Sequence, residues 1–178
     1  MSLRSATAVA AATAALVFGA PAQATTFVYS TILASAGEPV PTSTATGAAV
    51  VEFDNSTNVV TVLMSWAGLL GTTPFGHIHC CTAVAGTGSA GVSLGFTPLV
   101  NAQTGSYVSS FGLSAAAFST LLTGVNDGKA YVNIHTPGTY GSGEIRGFLA
   151  PIPEPGTNGL LLGGLAVVGW AARRQRRS

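Results

Sequence analysis

The chain has 178 residues and a formal charge of +1, with 47% hydrophobic but only 7% charged residues. Between the two ends, Lys129 and Arg146 stand against five acidic residues, a net charge of −3 for residues 25–150. A weakly acidic body without a basic patch excludes nucleic acid as the expected partner. The body has the length of one domain with a single core, and its abundant Gly, Thr, Ser and Val favour β structure.

Residues 1–24 predict a secretory signal peptide. Arg4 precedes an apolar run over residues 6–20, Pro21 interrupts that run, and Ala22-Gln23-Ala24 has the small-residue pattern of a cleavage site. We expect cleavage after Ala24. The alternative is a short transmembrane anchor, which the brevity of the apolar run disfavours.

The body, residues 25–150, predicts short strands separated by turns. The clearest hairpin joins 46–53 to 59–66, and its second strand places alternate apolar residues on a core face: Val60, Val62, Met64 and Trp66. Further strands are expected at 26–33, 92–100, 106–111, 129–135 and 144–149, and through the segment that contains His77 and His79. About seven to eight short strands predict an all-β fold, an antiparallel sandwich or barrel.

One short helix is expected over residues 114–122. Ser114 can cap its start, and Gly124 can end it. Phe118, Leu121, Leu122 and Val125 fall at helical spacing, so they predict one apolar packing face.

The polar residues of interest lie on three strand segments. His77 and His79 share one strand face, as do Tyr131, Asn133 and His135, and as do Glu144 and Arg146. If 129–135 and 144–149 form a hairpin, Glu144 falls near His135, where a carboxylate would fix the imidazole tautomer. His77, His79 and His135 could then build a three-nitrogen copper or zinc site.

A structural interpretation of the same residues stands beside the metal site. The three histidines could simply hydrogen-bond loops together, and Glu144 and Arg146 could pair with each other or with neighbours to close the sheet end. The chain has no nucleophile motif and no phosphate-binding loop, so we predict no catalytic residues.

Cys80 and Cys81 are the two cysteines of the chain. Three interpretations compete: a disulfide between the adjacent residues, thiols that join a His/Cys metal site, and half-buried free thiols. In an exported protein a disulfide is favoured, although adjacent residues bridge only through a strained ring.

Three segments carry a family resemblance. His77-Ile78-His79, residues 128–136 (GKAYVNIHT) and residues 143–147 (GEIRG) resemble the signature blocks of the CHRD domain, named for repeats in the extracellular antagonist chordin and also found in bacterial secreted proteins. The resemblance covers residues 26–149. It implies an extracytoplasmic β-rich domain with a binding or structural role and no established enzymatic activity.

The chain departs from the family pattern after HIH, where many members have a Gly/Pro stretch and Cys80-Cys81 stand here. The HxH strand is also loosely similar to copper/zinc superoxide dismutase, but the remaining ligand pattern of that enzyme has no counterpart.

Residues 151–178 resemble a PEP-CTERM protein-sorting signal. Pro153-Glu154-Pro155 is followed by an uncharged apolar segment, 156–172, and by an arginine cluster, 173–177. The apolar segment is just long enough for a transmembrane helix, and the arginines predict a cytoplasmic tail. The resemblance implies an exosortase as partner, cleavage near the motif and delivery to the surface of a Gram-negative bacterium. A plain single-pass anchor is the alternative.

Together these features predict a non-enzymatic, exported protein. It would pass through an inner-membrane intermediate, held by its C-terminal helix, to the cell surface or extracellular matrix, and bind a polysaccharide, a protein or itself. The alternative is a copper- or zinc-binding envelope protein with weak redox activity.

Overall fold

The computed structural model describes residues 26–39, 42–71, 75–96, 99 and 102–152, together with residues 164, 165, 167, 173 and 174. The predicted signal peptide (1–24) and sorting motif (153–155) lie outside the described residues, as does most of the predicted C-terminal helix. No helix in the described part of the chain is long and apolar enough to cross a membrane.

Nine strands and one α-helix make up the domain. The strands are β1 (Thr26–Ala34), β2 (Thr46–Asp54), β3 (Val59–Ala67), β4 (Phe75–His79), β5 (Val92–Phe96), β6 (Gly105–Gly112), β7 (Tyr131–His135), β8 (Ile145–Phe148) and β9 (Ala150–Pro151). A 3-10 turn, Ser35–Gly37, follows β1, and helix α1 spans Ala115–Asn126. Of the strand predicted over 92–100, the described part runs from Val92 to Phe96, and residues 97, 98 and 100 lie outside the described residues. The strand predicted over 129–135 begins two residues later.

All the strands belong to one antiparallel sheet. Its order is β5-β4-β7-β8-β1-β2-β3-β6, with β9 continuing the line of β8 along β1. The sheet curls into an open half-barrel. The all-β class with one helix is confirmed, but the architecture is a single open sheet and neither a two-sheet sandwich nor a closed barrel.

The core lies on the face of this sheet against which α1 packs. Val60, Val62, Met64 and Trp66 are all buried, as their alternation predicted. Phe53 lies at the centre, with its ring edge-to-face against Tyr29 and Phe118. The hydroxyl of Tyr29 also donates to Asn126 Oδ1 at 2.6 Å, which ties β1 to the end of the helix.

Helix α1 begins as predicted but ends later. Ser114 is its N-cap, and the amide of Ala117 donates to the Ser114 hydroxyl at 3.3 Å. The predicted stop at Gly124 is wrong, because the helix continues through Asn126. Gly128 follows with φ +67, so it supplies the left-handed turn that was assigned to Gly124.

Strand β7 is buried on both faces. Val132 and Ile134 face the core, whereas Tyr131, Asn133 and His135 point to the opposite face. There they are covered by three connecting segments, 35–39, 82–91 and 136–143, whose backbone or side-chain atoms contact the polar side chains. The sheet therefore encloses a polar layer between β4-β7-β8 and these loops.

A candidate three-histidine metal centre

The three histidines of the chain meet at this polar layer. Strand β4 pairs antiparallel with β7, with His77 opposite Asn133 and His79 opposite Tyr131. His135, at the end of β7, lies 3.2 Å from His77 (Nε2 to Nδ1) and 3.4 Å from His79 (Nε2 to Nε2). One ligand atom from each ring lies within 4.8 Å of the other two. These are the three residues that the sequence predicts as a possible three-nitrogen site.

Two of these rings form a hydrogen bond with a backbone carbonyl through the nitrogen that points away from the cluster. His79 Nδ1 lies 2.9 Å from the Ala90 carbonyl, and His135 Nδ1 lies 2.9 Å from the Gly141 carbonyl. A carbonyl only accepts a hydrogen bond, so each Nδ1 carries the proton that it donates. In the neutral rings, both Nε2 atoms are therefore left with free lone pairs directed into the cluster.

Glu144 does not take the role predicted for it. Its fully buried carboxylate accepts hydrogen bonds from the Ser43 hydroxyl at 2.6 Å, from the Leu70 amide at 2.8 Å and from the Thr136 hydroxyl. The Glu144 amide donates to the Ile134 carbonyl at 2.8 Å, so the residue lies beside the end of β7, but its carboxylate contacts none of the histidines. Glu144 thus links three connecting segments through its hydrogen bonds. The Gly141 carbonyl, and not Glu144, orients the His135 ring.

Aromatic rings fix the orientation of the imidazoles. The His79 ring stacks on Tyr131 at 4.9 Å with an interplanar angle of 5°. Phe75 packs against His77 at 5.4 Å and against His135 at 5.1 Å. The rings of His79 and His135 therefore have little freedom to turn away from each other. The His77 ring is only half-buried and keeps more freedom to rotate.

Burial keeps the three imidazoles neutral. It lowers the pKa of His77 to about 4, with smaller contributions from the neighbouring His135 and His79. Burial likewise lowers the pKa of His79 and of His135. A lowered pKa leaves a base unprotonated at neutral pH, and the unprotonated imidazole is the form that binds metals.

Arg146 pairs with a residue that the sequence did not single out. Its Nε lies 3.8 Å from Glu38 Oε2, and Asn133 Nδ2 donates to Glu38 Oε1 at 3.0 Å. Of the two pairings that the sequence left open for Arg146, with Glu144 or with a neighbour, the structure shows the second. Burial raises the pKa of Glu38 to about 7, against a smaller lowering by Arg146. The only sequence signal for Glu38 was an acidic residue in a Gly/Pro loop.

The Arg146 guanidinium extends the layer towards the histidines. It lies 4.9 Å from the centroid of the Tyr131 ring, whose other face stacks on His79, and Nη1 donates to the Gly88 carbonyl at 3.1 Å. Arg146 thus connects the Glu38 pair to the 82–91 loop.

Cys80 and Cys81 are joined by a disulfide. Their sulfurs lie against Gly124 of α1, and Cys80 packs on the hydrophobic core. The sulfurs are thus on the helix side of the sheet and the imidazoles on the other, so the cysteines do not join the histidine cluster.

Comparison with protein families gives two matches, to the CHRD domain over residues 29–149 and to the PEP-CTERM protein-sorting motif over residues 151–177. No curated protein and no solved structure matches the chain significantly. The PEP-CTERM motif is a sorting signal recognised by exosortase, and it implies export towards the cell surface. Because the first match covers more than half of the sequence, the chain belongs to the CHRD-domain family and carries a C-terminal PEP-CTERM sorting motif.

Proposed function

We propose that this protein is a non-catalytic surface or matrix protein of a Gram-negative bacterium, exported by a signal peptide (1–24) and released for display by an exosortase. The observation that carries the proposal is the order of the two matched segments. The CHRD domain ends at residue 149, and the sorting motif begins at 151. The sorting segment then supplies a transmembrane helix (156–172) and a cytoplasmic arginine cluster (173–177).

The position of the chain ends supports display from one side of the domain. Strand β9 runs antiparallel to β1, with Pro151 opposite Tyr29, and the Ile152 amide donates to the Val28 carbonyl at 3.1 Å. The chain therefore leaves the domain towards the end of the sheet where β1 begins at Thr26. The 136–143 loop, which follows His135, lies at the opposite end of the sheet and therefore away from the sorting signal.

The environment of the histidines supports a non-catalytic role. In the described part of the chain, the histidine rings contact one another and form hydrogen bonds with backbone groups. A serine or cysteine nucleophile that is activated by histidine must contact the imidazole, and the two cysteines are bonded to each other on the other side of the sheet. We therefore propose binding to an extracellular polysaccharide, to a protein or to a second copy of this chain.

Fractionation of a host with an active exosortase tests the sorting proposal. We expect the wild-type chain in the extracellular fraction as a product that lacks the residues after Pro155. Replacing Pro153, Glu154 and Pro155 together by alanine should leave full-length protein in the inner membrane, whereas the control Thr157→Ala should be processed normally. Recovery of the wild type only as full-length inner-membrane protein would support a single-pass anchor instead.

One observation favours a second candidate function. Three nitrogen donors lie within 4.8 Å of one another, which supports a copper- or zinc-binding envelope protein. Metal analysis of the purified full chain tests this candidate. A stoichiometric metal that is lost in His77→Ala would support it. Substoichiometric metal that dialysis removes would contradict it and would support a binding protein that holds no metal.

A further inference from the structure

Resting on the second candidate function, we infer that the histidines form a tetrahedral zinc site with one ligand position left for water. The ligand atoms are Nδ1 of His77 and Nε2 of His79 and His135. The inference goes beyond metal binding, because it assigns the donor atoms, the geometry and the preferred ion.

The distances between the donor atoms favour tetrahedral geometry. Zinc binds histidine nitrogens at about 2.0–2.1 Å, so two nitrogens of a tetrahedral site lie about 3.3–3.4 Å apart. The two contacts of His135 Nε2, at 3.2 and 3.4 Å, are close to this separation. Neighbouring ligands of a square-planar copper(II) ion would lie only about 2.8 Å apart. The ligand atoms of the remaining pair, His77 and His79, lie within 4.8 Å of each other. Rotation of the half-buried His77 ring would bring these two atoms to the tetrahedral separation.

The hydrogen bonds to the loop carbonyls give an independent reason for a cation. Because Ala90 and Gly141 accept from the Nδ1 atoms, Nε2 of His79 and Nε2 of His135 both lack a proton when the rings are neutral. These two atoms nevertheless face each other at 3.4 Å. Two lone pairs at this separation repel each other, and a cation between them converts the repulsion into two bonds.

The third ring can adapt to the metal. His77 Nδ1 points at His135 Nε2, and a proton on Nδ1 makes this contact a hydrogen bond when the site is empty. On metal binding the proton moves to Nε2 of His77, which frees Nδ1 as a ligand atom. His77 is the least buried of the three residues, so the exchange can proceed through solvent.

The described residues place no fourth ligand of the usual types at the cluster. The group of His, Cys, Asp and Glu that could share an ion there consists of the three histidines. Three protein ligands and a solvent position are typical of an accessible zinc ion, whereas structural zinc sites have four protein ligands. The fourth ligand we infer is therefore water.

Titration of the metal-free full chain in detergent solution with Zn²⁺ and with Co²⁺ tests the inference. Co²⁺ takes the place of zinc and reports geometry through its visible absorption, which is strong for tetrahedral and weak for octahedral ions. We expect one ion per chain, a strong tetrahedral Co²⁺ band, and loss of that band when one equivalent of Zn²⁺ is added. His77→Ala and His135→Gln should abolish the band, while the exposed control Gln103→Ala should retain it.

The results distinguish a failure of the inferred zinc site from a failure of metal binding itself. If neither ion binds stoichiometrically to the wild type, the inferred zinc site fails, and metal analysis of the purified chain then decides whether the candidate function survives as a copper-binding protein. If an ion binds but Co²⁺ shows only a weak octahedral spectrum, or binding survives both histidine variants, the inferred site is overturned while metal binding stands. The wild-type titration does not depend on the folding of any variant, and far-UV circular dichroism identifies variants that have lost the fold.

Discussion

At the scale of single residues, Glu38 is a buried carboxyl whose protonation is linked to folding. Its folded pKa of about 7 lies above the ordinary value of 4.5, so the folded chain holds this proton more tightly than the unfolded chain. The associated stability is fully present below about pH 4.5 and is lost as the pH rises through about 7. The loss amounts to roughly 3 kcal/mol at most, because one pKa unit corresponds to about 1.4 kcal/mol.

Glu38→Gln removes this titration but keeps an oxygen that can accept from Asn133. We therefore predict that the free energy of unfolding of the variant declines less between pH 4.5 and 7 than that of the wild type. Urea unfolding at a series of pH values measures the slope. Only the slope is predicted, because the variant also loses its ion pair with Arg146. Parallel slopes for the two proteins would contradict the linkage.

Gly124 is a second residue with a specific packing role. Glycine inside a helix costs about 1 kcal/mol relative to alanine, so helix propensity alone would favour alanine here. A Cβ at this position, however, would overlap the sulfurs of both Cys80 and Cys81. We predict that Gly124→Ala destabilises the domain by roughly 1–3 kcal/mol, because overlap with the disulfide outweighs the gain in helix propensity. Urea unfolding of the oxidised protein measures the difference. Gly112→Ala is the control, since its Cβ would have nothing within 4 Å, and equal stability of the two variants would refute the packing role.

At the scale of secondary-structure elements, the first turn of α1 depends on its cap. The Ser114 hydroxyl accepts from the Ala117 amide, one of the amides that the helix itself cannot satisfy. We predict that Ser114→Ala lowers the free energy of unfolding by about 1 kcal/mol. Ser119→Ala is the matched control, because Ser119 lies exposed within the same helix and caps nothing. Thermal unfolding monitored by circular dichroism compares them, and a cap loss no larger than the control would contradict the assignment.

Local patterns predicted the elements and part of the site. The hairpin of β2 and β3 and the shared face of His77 and His79 both follow from alternation along strands, which is visible within a few residues. Glu38 and Gly124 could not be predicted in this way. Glu38 reaches the polar layer because a loop folds over the sheet, and Gly124 is required by a disulfide 43 residues earlier in the chain. The partners of Glu144 were mispredicted because they lie in connecting segments that no local pattern places beside it.

At the scale of the whole molecule, the seam between β8 and β1 holds the two halves of the sheet together. The site strands β4, β5, β7 and β8 lie on one side of it, and β1, β2, β3 and β6 lie on the other. The register at the seam includes the pair Ala34 and Arg146. Next to Arg146, Gly147 lets the strands approach so closely that a Cβ there would overlap the Ile32 carbonyl and the Thr31 hydroxyl.

Gly147→Ala should therefore disturb both halves at once. Backbone atoms of β1 cannot rotate aside as a flexible side chain can, so we predict a loss of more than roughly 2 kcal/mol in the free energy of unfolding. Circular dichroism during urea unfolding measures this loss. The control Gly112→Ala, at the C-terminal end of β6, should have a free energy of unfolding within about 0.5 kcal/mol of the wild-type value. Two separate transitions in Gly147→Ala would show that the halves fold independently, whereas one earlier transition is expected if the seam makes the sheet a single cooperative unit.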